Sequence, residues 1–110
     1  MTINKELLKG STAILILTML EQRDMYGYEI IKEMERKSSG VFAFKEGTLY
    51  PILHGLESEE LVTAYWQTHE SRNRKYYRIT PKGQASLQEK KREWRLFRNA
   101  VDGVLGEGTV

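Results

Sequence analysis

Within ten residues, Lys45, Thr48, Tyr50, Pro51 and His54 bring together a cation, two hydroxyls, a rigid ring and an imidazole. Further along, Arg72, Arg74 and Lys75 place three cations in four positions. Neither set is arranged for covalent chemistry. No serine, histidine and acid recur at a spacing that suggests a nucleophile and its base. His54 and His69 lie in different segments, and Glu57 gives His54 only a two-ligand pair, so no metal is expected. The chain has no cysteine, which excludes disulfides, thiolate metal sites and cysteine nucleophiles together. Gly47 and Gly83 stand alone rather than in a phosphate-cradling loop, and no cofactor is expected. What remains is non-covalent: hydroxyls and an imidazole that can meet phosphate or base edges, and cations that can hold the flanking phosphates. Arg78 is a further candidate for that cationic rim.

The charge distribution points the same way. Residues 1–71 carry seven basic and eleven acidic side chains, whereas residues 72–98 carry ten basic and two acidic. The formal net charge of +2 therefore hides a concentrated basic block, which suits a polyanion. Nucleic acid is favoured over a membrane surface, because the block begins in a hairpin whose apolar residues are committed to a core. The dense apolar stretch Ala13–Leu20 is far shorter than the roughly 20 residues of a membrane span. The opening Met1–Gly10 has no signal-like run, and the cytoplasm is the expected compartment. At 110 residues the chain is one small domain, short of buried surface for a lone monomer.

The elements that must position these groups follow from periodicity. Lys5–Glu21 reads as a helix, with Leu7, Ile14, Leu17 and Leu20 at three- and four-residue spacing, and is apolar enough all round to be central. A second helix runs from about Tyr26 to Lys37, stopped by Ser38-Ser39-Gly40. Val41–Phe44 is either an extended piece or a loop on the core. A third helix spans roughly Glu46–Ser58. It turns Leu49, Ile52, Leu53 and Leu56 inward, and Gly47, Pro51, His54 and Ser58 outward, with Thr48 and Tyr50 on the flanks. Pro51 is placed near the first turn, where its missing N–H costs little. Glu57, Glu59 and Glu60 gather at the far end, so a polyanion would meet the first two turns. Tyr50 either reaches that partner or caps the core.

Leu61–Thr68 and Lys75–Thr80 read as strands joined by a turn at His69–Arg74. Tyr76 and Tyr77 then point to opposite faces, one core and one surface, with the choice left open. Thr80-Pro81 starts a last helix with a hydroxyl cap and a proline at its first position. It continues to about Val101, with a stripe of Leu87, Trp94, Phe97 or Leu96, Val101 and Val104. A helix of more than about 30 Å outreaches so small a body. A two-fold partner is the economical cover for the stripe, in preference to folding back on the first helix. Trp94 there is either a plain interface anchor or, paired with its copy, one wall of a site for a flat apolar ligand.

MYGYEI at Met25–Ile30, EGTLYPILHGLE at Glu46–Glu57 and RKYYRITPKG at Arg74–Gly83, in that order, resemble the PadR family of bacterial transcriptional regulators. The resemblance covers about residues 7–98. It implies a mainly α fold with a small β-hairpin wing: a winged helix-turn-helix domain over residues 5–80, then a dimerisation helix over residues 81–105. It implies a homodimer on a palindromic operator in double-stranded DNA, usually as a repressor. In the reading helix the family motif falls on Thr48, Tyr50 and Pro51, and in the wing on Arg74, Lys75 and Tyr77. The single short final helix is similar to the compact branch, where some multidrug-sensing repressors stack planar aromatic compounds on a tryptophan between subunits. Trp94 matches that position, with Leu8 and Phe97 as further lining. Two departures stand out. The wing tip Glu70-Ser71-Arg72-Asn73 is bulkier and more basic than the family's frequent glycine-rich tip, and the arginine or lysine common near His54 and Gly55 is missing. The competing expectation is a winged-helix module whose basic face docks an acidic protein.

Overall fold

The structure, a computed structural model, describes residues 10–107. Among the described residues, four helices pack with a three-stranded antiparallel sheet: α1 (Thr12–Gln22), β1 (Met25–Tyr26), α2 (Gly27–Lys37), α3 (Glu46–Ser58), β2 (Val62–His69), β3 (Arg72–Ile79) and α4 (Pro81–Leu105). The α1 segment is the central helix, with Ile16, Leu17, Met19 and Leu20 buried. Gly10 and Ser11 form a turn immediately before it, so the expected continuous helix from Lys5 does not run through them. Residues before Gly10 lie outside the described ones.

Helix α2 opens at Tyr26, whose N–H donates to the Glu29 carboxylate (3.3 Å), and closes with Arg36 and Lys37 in its last turn. Both ends thus complement the helix dipole. It stops where Ser39 and Gly40 take left-handed backbone angles and the Gly40 N–H returns to the Glu35 carbonyl. The following Val41–Phe44 run forms no strand: it is a loop that buries Phe44 and packs Phe42 against the core. Helix α3 has the expected bounds, and Leu49, Leu53 and Leu56 are its buried face. Pro51 sits in its second turn, not its first, so the Gly47 carbonyl loses an intrahelical partner on the exposed side.

The sheet order is β1-β3-β2, with β3 central. The short β1 was not foreseen: two residues carry no periodicity, yet Met25 pairs with Tyr77 and Tyr26 with Tyr76. In the hairpin Val62 pairs with Ile79, and the register runs without a break to His69 opposite Arg72. The turn is therefore only Glu70-Ser71, tighter than the expected His69–Arg74. Both residues have positive φ (52° and 66°), the combination that a right-twisted two-residue hairpin requires and that asparagine and glycine supply with least strain.

The junction into α4 is closely packed. The Thr80 hydroxyl accepts from the Gly83 N–H (2.9 Å) and donates to the Glu60 carbonyl (2.7 Å), while the Thr80 N–H donates to the Leu61 carbonyl (3.1 Å). A Cβ on Gly83 would stand 2.0 Å from that same Leu61 oxygen. Only glycine admits this approach. Beyond Gly83 and Leu87 no residue of the 25-residue α4 is buried, and Gly106, at φ 76°, ends it. In equilibrium urea unfolding, Gly83→Ala is expected to lose about 2–4 kcal/mol, because the clash is with backbone that cannot step aside. Ser71→Gly should gain up to about 1 kcal/mol by relieving the left-handed strain.

Candidate nucleic-acid interface

Alternation along β3 decides what each side chain can do. Tyr77 and Ile79 face the helices and are buried; Tyr76 and Arg78 face the other way. This resolves the open choice between the two tyrosines and corrects one expectation. Tyr77, 1% exposed, is a core residue whose ring cannot lie on a partner's surface. Burial raises its phenol above the ordinary value, Glu57 and Tyr50 add to this, and its hydroxyl has no hydrogen-bond partner.

On the opposite face Tyr76 stacks on Tyr65 (centroids 5.7 Å apart) and meets Tyr26 edge-on (5.4 Å). Cations bracket this aromatic row: the Arg74 guanidinium lies 4.4 Å from the centre of Tyr26, and that of Arg78 lies 5.0 Å from Tyr65. The two arginines then differ. Asp24 binds Arg78 through Nε (3.0 Å) and a terminal nitrogen (2.9 Å), so Arg78 is neutralised and leaves the cationic rim it was expected to join. Among the described residues no carboxylate pairs with Lys45, Arg72 or Arg74. Lys75 is intermediate, 3.7 Å from Glu57 across half-exposed surface, where such a pair is weak.

On α3, Lys45 precedes the first turn, and Thr48, Pro51 and His54 are exposed. Tyr50 is half-buried and still borders open space. Its ring is half-buried against the start of α2, where a Cβ on Gly27 would fall 2.5 Å from the Tyr50 hydroxyl, and it also lines the space in front of the helix. Gly27 of the MYGYEI segment is therefore the seat of Tyr50. That space is an open cleft of about 620 Å³ between α3, the start of α2 and the wing. Tyr50, His54, Trp66, Arg72, Arg74 and Lys75 are among the residues that line it. Thr48, Pro51 and Lys45 lie outside it, on the free face of the helix.

Trp66 was not singled out from sequence. The signal was available: once the turn is placed at Glu70-Ser71, the register sets Trp66 opposite Lys75. Tyr26 was missed for a different reason, since its stacking partner lies 48 positions away and no local pattern links them.

A second feature lies along α4. Trp94 and Phe97 stack with ring centres 6.1 Å apart, beside a hollow of about 320 Å³ shared with Gly10, Ala13 and Ile14 of the first helix region. Phe97, not Leu96, continues the stripe towards Val101, Val104 and Leu105. Trp94 is 43% exposed, Phe97 62% and Val104 88%, a row of large apolar groups in water. Leu8, expected beside them, lies outside the described residues. Among the described residues no cluster of histidine and acids could hold a metal, and no helix is long and apolar enough to cross a membrane.

A three-helix unit with a basic hairpin flanking an exposed helix face defines a winged-helix DNA-binding regulator of transcription. Residues 16–89 match the transcriptional regulator PadR-like family, and the chain belongs to it. A transcriptional regulator of Mycobacterium tuberculosis is 31% identical over 109 residues, covering 96% of this chain and 99% of that protein. Among solved structures, a transcriptional regulator from Clostridium thermocellum superposes with a TM-score of 0.84 at 33% identity, over 90% of this chain and 97% of that one. A PadR family transcription regulator from Clostridium difficile gives 0.78 at 37% identity, over 87% and 99%. With these relatives the chain is a transcriptional regulator and not an enzyme.

Asp24 has a measurable signature. Tyr65 donates to it (2.5 Å), and this hydrogen bond, helped by burial, raises the phenol above its ordinary value near 10. Folding thus favours the protonated phenol. The contribution is complete below about pH 10 and is lost as pH rises through the raised folded-state value. Asp24→Asn is expected to return Tyr65 towards its ordinary range, seen as an earlier rise of phenolate absorbance in an alkaline titration of the folded protein.

Proposed function

We propose that this chain is a cytoplasmic repressor that binds a palindromic operator as a homodimer, with residues 5–80 reading DNA and residues 81–105 pairing the subunits. The observation that carries the reading is the combination on one face: the front of α3, where Glu46 at the first position is the one acid before Glu57, beside a wing whose Arg72 and Arg74 have no acid partner among the described residues. Thr48 and Pro51 from the first two turns of α3, and His54 from the start of the third, enter the major groove, and Tyr50 braces the helix while offering its hydroxyl. Lys45, Arg72, Arg74 and Lys75 neutralise flanking phosphates. The exposed stripe of α4 supports pairing, because so many large apolar side chains on one helix are not left in water without cost. A planar aromatic effector fits between the subunits against Trp94 and Phe97. It would shift operator occupancy only by binding the DNA-competent and incompetent dimers unequally.

The test is binding to a duplex from upstream of the chain's own gene, against a scrambled duplex, across a salt series. A preference of about a hundredfold with one dimer per site supports a specific regulator. No binding to either duplex at low salt favours the protein-docking module instead. Arg74→Ala and Lys75→Ala should each weaken binding to both duplexes, and each lost phosphate contact should reduce the salt slope by about 0.9. Lys75 should matter less, since Glu57 already shares its charge. Unchanged affinity and slope in both variants would overturn the role given to the wing. For the pairing helix, Val104→Glu is expected to move the sedimenting species from dimer to monomer.

A further inference from the structure

Trp66 is 68% exposed, although Val62, Tyr77 and Ile79 on the same sheet face are buried and Ala64 is half-buried. The register explains how this comes about. Val62 opposite Ile79 and Ala64 opposite Tyr77 form the part of the inward sheet face that the helices cover. Trp66 opposite Lys75 is the next pair outward on that face, the first one past the core. The indole therefore projects towards α3 without being covered by it. Lys75 of the same pair reaches Glu57 of α3, which shows that the face addresses this helix. Trp66 ends up in the wall of the cleft that Tyr50 and His54 line from α3, and Arg72 and Arg74 from β3.

The surroundings select the occupant. Three cations, Arg72, Arg74 and Lys75, outnumber the one carboxylate of the cleft, Glu46, and share it with an indole that has a flat apolar face and one N–H donor but no acceptor. That set matches a sugar–phosphate backbone, which offers an apolar deoxyribose flank beside anionic oxygens. It suits a base edge less well, because Thr48 and Pro51 of the groove-facing residues do not line the cleft and only His54 does. We propose that Trp66 is a backbone contact of the DNA interface: its ring packs on a deoxyribose and its N–H donates to the adjoining phosphate. The contact orients the wing on the duplex and carries no base information. This inference rests on the DNA-binding reading given above.

Two readouts test it on the full-length dimer, with labelled-duplex anisotropy reporting binding independently of tryptophan. Trp66→Ala should weaken binding to operator and scrambled duplex alike, by about tenfold, with the preference between them retained. The salt slope should stay at the wild-type value, because no cation is removed. Trp66→Phe, which keeps a ring without the N–H, should recover part of the loss, and matching thermal unfolding midpoints would show that both variants are folded. In the wild type, saturation with duplex should quench a component of tryptophan emission that is missing in Trp66→Phe, whose remaining tryptophan is Trp94. Affinity within twofold of wild type in Trp66→Ala would overturn the proposal, and so would identical quenching in wild type and Trp66→Phe. A loss confined to the operator would overturn the backbone assignment in favour of base reading. If Arg74→Ala and Lys75→Ala also bind like wild type, the DNA interface itself is misplaced, a failure distinct from that of Trp66 alone.

Discussion

The close approach of Gly83 to the Leu61 carbonyl sets the direction in which α4 leaves the body of the molecule. Thr80 ties that point to Glu60 and Leu61, which join α3 to β2, so the exit angle is referenced to the helix and hairpin of the proposed DNA interface. A helix of 25 residues is a lever of about 37 Å held at one end. In the proposed dimer, the spacing of two reading heads follows from this angle and from the pairing of two levers. Any side chain larger than hydrogen at position 83 would move both.

The strand β3 divides the molecule's work by parity. Its inward residues supply the core and then, past Tyr77, Lys75 in the wall of the cleft; its outward residues build a row of stacked rings between arginines, of which Arg74 also borders the cleft. This arrangement decides which charges are available. Ten cations in residues 72–98 suggest a broad basic surface, yet Arg78 is held by Asp24, Lys91 reaches Glu21 (3.3 Å) and Lys75 leans on Glu57. Arg74 is held by its stacking on Tyr26 rather than by a carboxylate, which orders the guanidinium while leaving its charge uncompensated. The working electrostatics are thus narrower than the composition and sharper in position.

How much of this was legible in the sequence depends on the range of the interaction. The bounds of α3, its inward leucines and the capped start of α4 follow from local periodicity and turn chemistry, and they agree with the structure. The hairpin was legible but loosely bounded, because Glu70-Ser71 lacks the asparagine or glycine that usually marks a two-residue turn. Misplacing that turn hid Trp66, whose position depends on register. Tyr77 was assigned to the DNA face from a family motif, whereas its parity in β3 places it in the core. The Arg78–Asp24 pair spans 54 positions, and β1 is two residues long; neither leaves a local trace. Gly10-Ser11 interrupts what periodicity alone reads as one helix, since an apolar pattern can continue across a turn.

Communication between the two ends of the molecule has a physical route. Helix α1 packs its apolar surface under the reading unit, and it also meets α4 through Leu87 and the Glu21–Lys91 pair. The hollow beside Trp94 is bounded on its other side by Ala13 and Ile14, in the first turn of that same helix. An effector entering there would press on the element most enclosed by the core, whose Ile16 and Leu17 have no exposed surface. Close-packed interiors do not absorb such pressure locally; they shift as units. The alternative outcome, a change only in how two α4 helices cross, needs no motion of α1 at all. The two routes differ in where they place the strain. The first predicts altered packing around Ile16 and Leu17 within one subunit, the second an altered pairing of Val101 and Val104 between the subunits of the proposed dimer. The anchoring of α4 at Gly83 and against α1 as far as Lys91 favours the second, because a lever held along its first half yields most easily at its far end, where Val104 and Leu105 are exposed.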